Sequence, residues 1–481
     1  MIRTFPLFAA GSFLAGCAAV GPDYEAPATA VTDAWIEPVS AGAVDPAWWR
    51  QFGDEGLTAL IERAMAGSPT VEQARARLAE ARANRDAVVG RRLPEVGAQA
   101  AATENRIAEN GQIPVGQVPG FDPRFSLFDL GFDASWEVDL WGRRTREAQG
   151  AEARVGAAEA GLHDVLVVLG AEIARSYMDL REAQASIAQV AASAGAQGEL
   201  ARLTTLRYRA GESSKLDADR AAAEAAVAEQ RLADVRARES AAAYRLATLV
   251  GEPPEALVPM LRNDGPVPAS PETILVGVRS QLLRRRPDVR IAERELAAAV
   301  ADVGVATADL FPRFSLVGGI GTQSRAAGDL FGSESLRFSL GPTFSWPIFS
   351  GGRIRAQIRA ADARADVAAA RYENAVIEAL ADSESAINRY LEAQNAEAAA
   401  ARALAAQREA FALAERRFAL GEDDRLSHER ARLEMLARQQ AFSQARADTA
   451  RAAIGVFKAL GGGWRAGAES APGPAHRGPQ D

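Results

Sequence analysis

The chain has 481 residues, 48% of them hydrophobic and 25% charged, which is the composition of an ordinary folded protein and excludes a disordered or collagen-like chain. Its 55 basic and 63 acidic residues give a formal net charge of −8, which argues against binding to nucleic acid. The single cysteine, Cys17, excludes disulfide frameworks and cysteine-based metal clusters, and the three histidines lie far apart, so we expect no cofactor and no metal.

The first 16 residues are typical of a secretory signal peptide, because Arg3 is followed by a short apolar stretch that ends in small residues. This stretch is too short to span a bilayer as a helix. Residues 14–17 resemble the bacterial lipoprotein box, in which the cysteine is acylated and becomes the first residue of the mature chain. We therefore expect lipid on Cys17, and Ala18 after it favours export to the outer membrane. The alternative is an inert cysteine in an ordinary signal peptide.

A domain-sized unit occurs twice in the sequence. From about residue 126 to residue 251 the two copies align without a gap at an offset of 210 residues, and upstream of this stretch the offset is 218. A unit of this size is longer than a solenoid repeat and indicates a duplicated domain. The residues that fix the alignment are Trp136 and Trp346, Gly211 and Gly421, Gly251 and Gly461, and Pro69 and Pro287.

Each copy is predicted to begin with a helix, at about residues 69–89 and 287–309, followed by two strands. The second strand of each copy, over residues 128–140 and 336–348, alternates strictly between apolar and polar residues, which indicates one face in an apolar medium and one in water. Its partners, residues 96–103 and 314–322, are richer in Ala and Gly. The large apolar residues of the alternation are Phe128, Leu130, Phe132, Trp136, Val138, Leu336, Phe338, Leu340, Phe344, Trp346 and Ile348.

After each alternating strand the pattern becomes helical. Residues 142–208 and 352–418 contain no proline, and an unbroken helix of about 65 residues would be about 100 Å long and typical of coiled-coil packing. A polar turn with one glycine follows each long helix, at residues 209–214 and 419–424, and a return helix then runs to Leu249 or Leu460. Glycine is typical of a helix C-terminus, and the polar residues after it are typical of an N-cap.

The surroundings of the apolar strand faces decide the architecture. Packing beneath helices is the more common arrangement, but the chain has only four such strands, and the long helices are expected to pack on one another. In lipid every backbone group must be paired, so strands must close into a barrel, and four strands cannot close. Two, three or four chains would give 8, 12 or 16 strands. Because eight strands leave an interior filled by side chains, a trimer is the smallest assembly with an open pore.

The lipoprotein box, the doubled unit, the glycine tips and the segments 17–24, 48–54, 207–212 and 284–289 resemble the TolC-like outer-membrane efflux proteins. The resemblance is strongest to the NodT-type outer-membrane lipoproteins of resistance-nodulation-division (RND) pumps. It implies a mainly α fold with a small membrane β-barrel, in which a homotrimer forms a 12-stranded barrel that a periplasmic α-helical barrel continues. It also implies a passive exit channel for drugs or other small molecules, without enzymatic activity. The expected partners are a periplasmic adaptor, an inner-membrane RND pump and outer-membrane lipid.

The resemblance divides the chain into a signal peptide (1–16), an N-terminal lipoprotein and equatorial segment (17–55), a first repeat (56–251), an equatorial linker (252–275), a second repeat (276–461) and a disordered tail (462–481). Two other functions remain open at this point. One is an outer-membrane conduit for type I protein secretion, and the other is a lipid-tethered periplasmic coiled-coil scaffold.

The resemblance also implies that the two helix tips meet the adaptor. The matching residues are Tyr208, Ala210, Gly211, Glu212 and Ser213, and Phe418, Leu420, Gly421, Glu422 and Asp423. Acidic residues just past the tips narrow the exit in some family members, and Asp217 matches such a position, but Ser427 and Arg430 stand at the corresponding places in the second copy. Glu422, Asp423, Asp424 and Glu429 could substitute for them as a gate, or could be ordinary solvated acids at a helix start.

Overall fold

The computed structural model describes residues 19–27, 32–108, 122–263 and 265–464. The predicted signal peptide, Cys17 and most of the predicted tail lie outside these ranges. The chain divides into two compact units, each assembled from three stretches of sequence. Unit 1 comprises residues 1–28, 78–158 and 292–372, and unit 2 comprises residues 29–77, 159–291 and 373–481.

Most described residues are helical and a small sheet is present, which confirms the mainly α part of the predicted fold class. None of the helices in the described ranges combines the length and the apolar character needed to cross a membrane. The helices are α1 (Glu55–Gly67), α2 (Pro69–Gly90), α3 (Arg143–Arg209), α4 (Lys215–Val250), α5 (Pro254–Leu261), α6 (Arg279–Arg285), α7 (Pro287–Ala308), α8 (Arg353–Ala419) and α9 (Arg425–Ala459). The strands are β1 (Ser40–Ala41), β2 (Glu95–Arg106), β3 (Arg124–Val138), β4 (Leu275–Val276), β5 (Arg313–Ser324) and β6 (Leu336–Ser345).

The internal duplication predicted from the sequence is visible in the helix lengths. α2 and α7 have 22 residues each and begin at the paired prolines, where a missing backbone N–H costs no helical hydrogen bond. α3 and α8 have 67 residues each, so the predicted long helices are unbroken. α4 and α9 return from the turns with 36 and 35 residues.

Unit 1 contains an antiparallel sheet in the order β2-β3-β5-β6. The order shows that the hairpin of the first copy pairs with the hairpin of the second through β3 and β5, the two central strands. β2 and β6 are the edges, and each is hydrogen-bonded to one strand of the described chain. A short parallel pair, β1 and β4, belongs to unit 2.

Two of the predicted strand positions are wrong. β6 ends at Ser345, so Trp346 and Ile348 lie beyond the strand in which the alternation placed them. Pro347 has no backbone N–H to donate to a neighbouring strand, and the Ile348 N–H donates to the Trp346 carbonyl at 3.0 Å in a tight turn. β3 ends at Val138, two residues before the predicted end of the strand. There the Leu140 N–H donates to the Val138 carbonyl at 2.9 Å, and the Asp139 carboxylate accepts hydrogen bonds from the Arg144 and Thr145 N–H groups at the start of α3.

The core of unit 2 includes α1, a helix that the sequence analysis did not predict. Asp54 caps α1 by accepting a hydrogen bond from the Leu57 N–H at 2.8 Å. Leu57 and Ile61 are fully buried. The Trp48 ring, also buried, stacks on Phe457 of α9 with centroids 5.0 Å apart. The segment before α1 is therefore part of a packed core.

The first residues of the predicted tail are also packed, which corrects the boundary of the expected disorder. Trp464 is 9% exposed, its ring stacks on His163 of α3 at 4.2 Å, and its indole N–H donates to the Arg285 carbonyl at 3.2 Å. Gly462 lies so close to the Trp48 ring that an added Cβ would be 2.9 Å from it. The contacts of Trp464 and the close approach of Gly462 to Trp48 thus fix the chain just after α9.

Arg286, between α6 and α7, connects three helices of unit 2. Its buried guanidinium donates to the Asp288 carboxylate at 2.6 Å and to the carbonyls of Ala379 in α8 and Ala459 in α9, both at 3.3 Å. Asp382 of α8 lies 3.4 Å away. Hydrogen bonds to a charged donor are stronger than neutral ones, and here they join parts of three helices that are distant in sequence.

We expect Arg286→Met to lower the free energy of unfolding by about 2 kcal/mol, because the bonds to the charged guanidinium are lost. The measurement is the thermal unfolding midpoint of the detergent-solubilised protein by circular dichroism. Arg284→Met removes an exposed arginine two residues away and is the matched control. Equal midpoints for the two variants would contradict this role of Arg286.

Candidate functional site

One face of the sheet is apolar across all four strands. Residues directly opposite each other in an antiparallel pair share a face. Phe132 lies opposite Ala98 of β2 and Ile320 of β5, and Ile320 lies opposite Phe338 of β6. The same face carries the predicted positions Phe128, Leu130, Trp136, Val138, Leu336, Leu340 and Phe344.

This apolar face is exposed in the protomer. Phe132 is 60% exposed, and Phe338, Leu340 and Phe344 are 71–80% exposed. Trp346 and Ile348, beyond the end of β6, are exposed as well. Exposed apolar patches of this kind mark a surface that another apolar phase or another chain covers. The alternative considered from the sequence, in which helices cover these side chains, does not describe the protomer.

The opposite face of the sheet is polar. Asp129 accepts hydrogen bonds from the Gln323 amide at 2.6 Å and from Arg337 at 2.7 Å, which connects β3, β5 and β6. Gly131 and Gly321 face each other in the register, and a Cβ on Gly321 would be 2.5 Å from the Leu130 carbonyl oxygen. Because Gly131 and Gly321 have no Cβ, β3 and β5 can pair closely at this point.

Two equivalent tryptophans fix one end of the sheet. The Trp136 indole N–H donates to the Arg92 carbonyl at 2.9 Å, and the Trp346 indole N–H donates to the Leu310 carbonyl at 3.0 Å. The acceptors lie at corresponding places, shortly before β2 and β5. Tryptophans with one bonded polar edge and an apolar body are typical of a membrane–water boundary.

Residues 19–21 are held within unit 1 by a buried arginine of α3 that the sequence analysis missed. Arg146 of α3 is 3% exposed and donates to the carbonyls of Ala19, Val20 and Gly21 at 3.1–3.2 Å. It also forms an ion pair with Asp23 at 2.8 Å. A single arginine in a helical run carries no sequence signal for such a contact.

The first helix tip, residues 208–214, has a Schellman geometry. The Glu212 N–H donates to the Arg207 carbonyl at 2.8 Å, and Gly211 has φ +79°, a left-handed conformation that favours glycine. Ser214 and Asp217 form a capping box at the start of α4. Tyr208 and its neighbours Ala210, Glu212 and Ser213 line this tip, and Tyr208 is exposed.

The second tip, residues 418–424, repeats the turn. The Glu422 N–H donates to the Arg417 carbonyl at 2.9 Å, and Gly421 has φ +78°. Arg417 also forms ion pairs with Glu422 and Asp423. Leu420 is 76% exposed, whereas the Phe418 ring packs on His428 at 4.8 Å. The two tips thus share a backbone and differ in side chains.

The candidate gate residues act as helix caps in the protomer. Asp217 is the third residue of α4 and bonds to the N-cap Ser214, whereas Asp424 is itself the N-cap of α9 and accepts from the Ser427 N–H at 2.8 Å. These bonds hold the pKa of both carboxyls below the usual range. Ser and Asp have therefore exchanged places between the copies, which explains why Ser427 stands where the first copy has Asp217. Arg430 follows on the same turn of α9.

A buried carboxylate distinguishes the second tip from the first. Glu429 of α9 is 1% exposed and lies 2.9 Å from the Arg425 guanidinium, with His428 and Arg432 each at 3.6 Å. Neither carboxylate oxygen accepts a hydrogen bond from the described residues. At the same place in the first copy, Asp219 is exposed and pairs with Lys215 at 2.6 Å.

The candidate functional site consists of the two faces of the sheet and the two helix tips. No metal centre is found in the part of the chain that the structure describes. There, no group of three or more His, Cys, Asp or Glu residues is placed to hold an ion. The charged residues named above are committed to caps, ion pairs and strand-to-strand bonds.

Comparison with known proteins shows which family this chain resembles. The family model described as "Outer membrane efflux protein" matches residues 60–252 and 278–462. The pyoverdine export outer membrane protein OpmQ of Pseudomonas aeruginosa is 32% identical, with 87% of each chain covered, and the outer membrane protein OprJ of the same organism is 31% identical, with 94% of each chain covered.

A solved structure, described as the outer-membrane channel OprN, superposes with a TM-score of 0.82 at 37% sequence identity. The match covers 92% of this chain and 99% of that one. The family match spans both halves of the duplication and most of the chain. This protein therefore belongs to the outer membrane efflux protein family, and it is a protein of the bacterial outer membrane.

Proposed function

We propose that the chain is the outer-membrane exit channel of a tripartite efflux pump and works as a homotrimer. The observation that carries the proposal is the sheet of unit 1, which has one exposed apolar face, one polar face and two open edges. In lipid the unpaired backbone groups of β2 and β6 require partners. Three copies supply 12 strands, enough for a barrel with an open lumen lined by the polar face.

The lumen continues, in this proposal, into a periplasmic barrel built from the long helices. The tips 208–214 and 418–424 then meet a periplasmic adaptor, which links the channel to an inner-membrane RND pump. Opening follows from untwisting of the helices at the tips when the adaptor binds, with Asp217 and Asp424 as the acidic groups nearest the exit. The pyoverdine export protein among the relatives supports small molecules as cargo.

The remaining parts of the chain complete the proposal. Residues 1–16 are a signal peptide, Cys17 carries the lipid anchor, and 17–55 and 252–275 are the segments that surround the two repeats, 56–251 and 276–461. The contacts of Arg146 with residues 19–21 support an N-terminus that is fixed near the sheet. Trp136 and Trp346 support a membrane boundary at the same end of the sheet.

A charge on the apolar face should prevent membrane insertion. We expect Phe338→Arg to destabilise the inserted state by about 2–4 kcal/mol per protomer, because the guanidinium would face lipid. The measurement is the fraction of the protein in the outer-membrane fraction together with the yield of trimers that survive mild detergent on a gel. Ser339→Arg, on the polar face of the same strand, is the control. If both variants insert equally well, the face does not contact lipid.

Removing the anchor cysteine tests whether insertion depends on the sheet. We expect Cys17→Ala to abolish acylation yet to leave trimers that insert, because the barrel spans the membrane without lipid. Radiolabelled palmitate incorporation and detergent extraction from membranes are the measurements. Complete release of this variant as a water-soluble oligomer would instead support the lipid-tethered scaffold.

Substitution at the tips tests adaptor docking. We expect the double variant Gly211→Asn, Gly421→Asn to lose drug tolerance with a normal trimer yield, because asparagine accepts the left-handed conformation but adds a side chain to the docking surface. The control is Gly53→Asn, since Gly53 also has a positive φ and open space around its Cα. Drug tolerance that is unchanged in the double variant would count against docking at the tips.

A further inference from the structure

Unit 2 contains a cavity of about 740 Å³ that none of the surfaces described above uses. This volume lies in the range of small-molecule sites. Its walls come from α3, from the junction between α6 and α7, from α8 and from α9. Small or apolar side chains form part of the lining: Val167, Val168, Ala386, Ala452, Gly455 and Ala459.

Three cations of the lining have no strong carboxylate partner. Lys458 of α9 makes no hydrogen bond or ion pair with the described residues, and Arg389 of α8 donates only to the Ser385 carbonyl of its own helix, at 3.1 Å. Arg175 of α3 has only a 3.8 Å contact with Glu172, whose carboxylate bonds to Arg245 at 2.7 Å. Three different helices thus each place at this cavity a cation that has no carboxylate within hydrogen-bond distance, and Lys458 lies near the Asp164 carboxyl.

The other charged groups of the lining are already paired, with one exception. Arg286 holds Asp288 and Asp382, and Arg451 bonds to Asp179, Glu182 and Asp448. The exception is Asp164 of α3. Burial and the nearby Asp288 charge raise the pKa of its carboxyl, and the charges of Lys458 and Arg286 oppose this rise. Outside the paired groups, the lining therefore carries three cations, Arg175, Arg389 and Lys458, and one acid, Asp164.

We propose that this cavity binds a small organic anion, with a carboxylate or phosphate group between Arg175, Arg389 and Lys458 and an apolar body against the small side chains. Guanidinium and ammonium groups recognise such oxyanions through charge-assisted hydrogen bonds. Gly455 keeps the space open, because an added Cβ would lie 3.7 Å from the Arg175 Nη2 atom. The inference is independent of the transport role and concerns a cavity within one protomer.

The composition of the chain allows a direct test, because Lys215 and Lys458 are its only lysines. The probe is pyridoxal 5′-phosphate, an aldehyde that carries a phosphate group; it forms an imine with a lysine amine, and borohydride then reduces the imine to a stable amine. We expect labelling of Lys458 over Lys215 in the purified full-length trimer, measured by peptide mass spectrometry. Lys215 is the internal control, since it is exposed and paired with Asp219.

Competition then tests the ligand class. We expect phenyl phosphate to protect Lys458 at lower concentration than inorganic phosphate, and sodium chloride at matched ionic strength to give no protection. Gly455→Leu fills the cavity and should remove the protection while the circular dichroism spectrum stays unchanged. Equal labelling of both lysines without protection, or protection that persists in Gly455→Leu, would overturn the proposal. Equal protection by both phosphates would overturn the apolar part of the site.

Discussion

Backbone pairing at the sheet edges is the constraint on which the rest of this protein depends. A four-stranded sheet with an apolar face meets two of the three conditions for crossing a bilayer, since its apolar side chains can face lipid and its polar face can line water. The third condition is that no strand edge stays open, and β2 and β6 fail it within one chain. On the proposed function, closure with further copies satisfies the edges by the same antiparallel pairing that joins the two hairpins through β3 and β5.

The duplication makes such closure geometrically simple, and it also lets the two copies diverge where pairing does not constrain them. Helix lengths and tip backbones are nearly the same in both copies. The side chains at the tips differ, as the exchange between Ser214–Asp217 and Asp424–Ser427 shows. Glu429 of the second copy is buried, whereas Asp219, at the equivalent position of the first copy, is exposed. On the proposed function, three chains present six similar turns of two chemical kinds to the adaptor.

Periodic patterns in the sequence predicted the long helices and the central strands well. The spacing of apolar residues along a short stretch of chain differs between a helix and a strand, so neighbouring residues are enough to identify each element. The long helices, the central strands and the positive φ of Gly211 and Gly421 followed from spacing and turn chemistry. The end of β6 was misplaced because alternation continues past Pro347, whose missing N–H stops strand pairing but leaves hydrophobicity unchanged. The Arg146 contacts and the cavity of unit 2 had no signal, since they depend on residues far apart in sequence. Packing of Trp464 was hidden for the same reason.

A lipid anchor and a membrane barrel are two separate means of attachment, and the structure suggests why one chain would use both. On the proposed function, a single protomer does not insert, because β2 and β6 each have one free edge in the described chain and lipid offers it no partner. On the proposed function, acyl chains on Cys17 hold the unassembled protomer at the membrane, each buried methylene contributing about 0.8 kcal/mol. Tethering to a surface raises the effective concentration of the partners that must meet. The buried Arg146 binds residues 19–21. On the same proposal, this contact keeps the tether beside the sheet whose edges have to be closed.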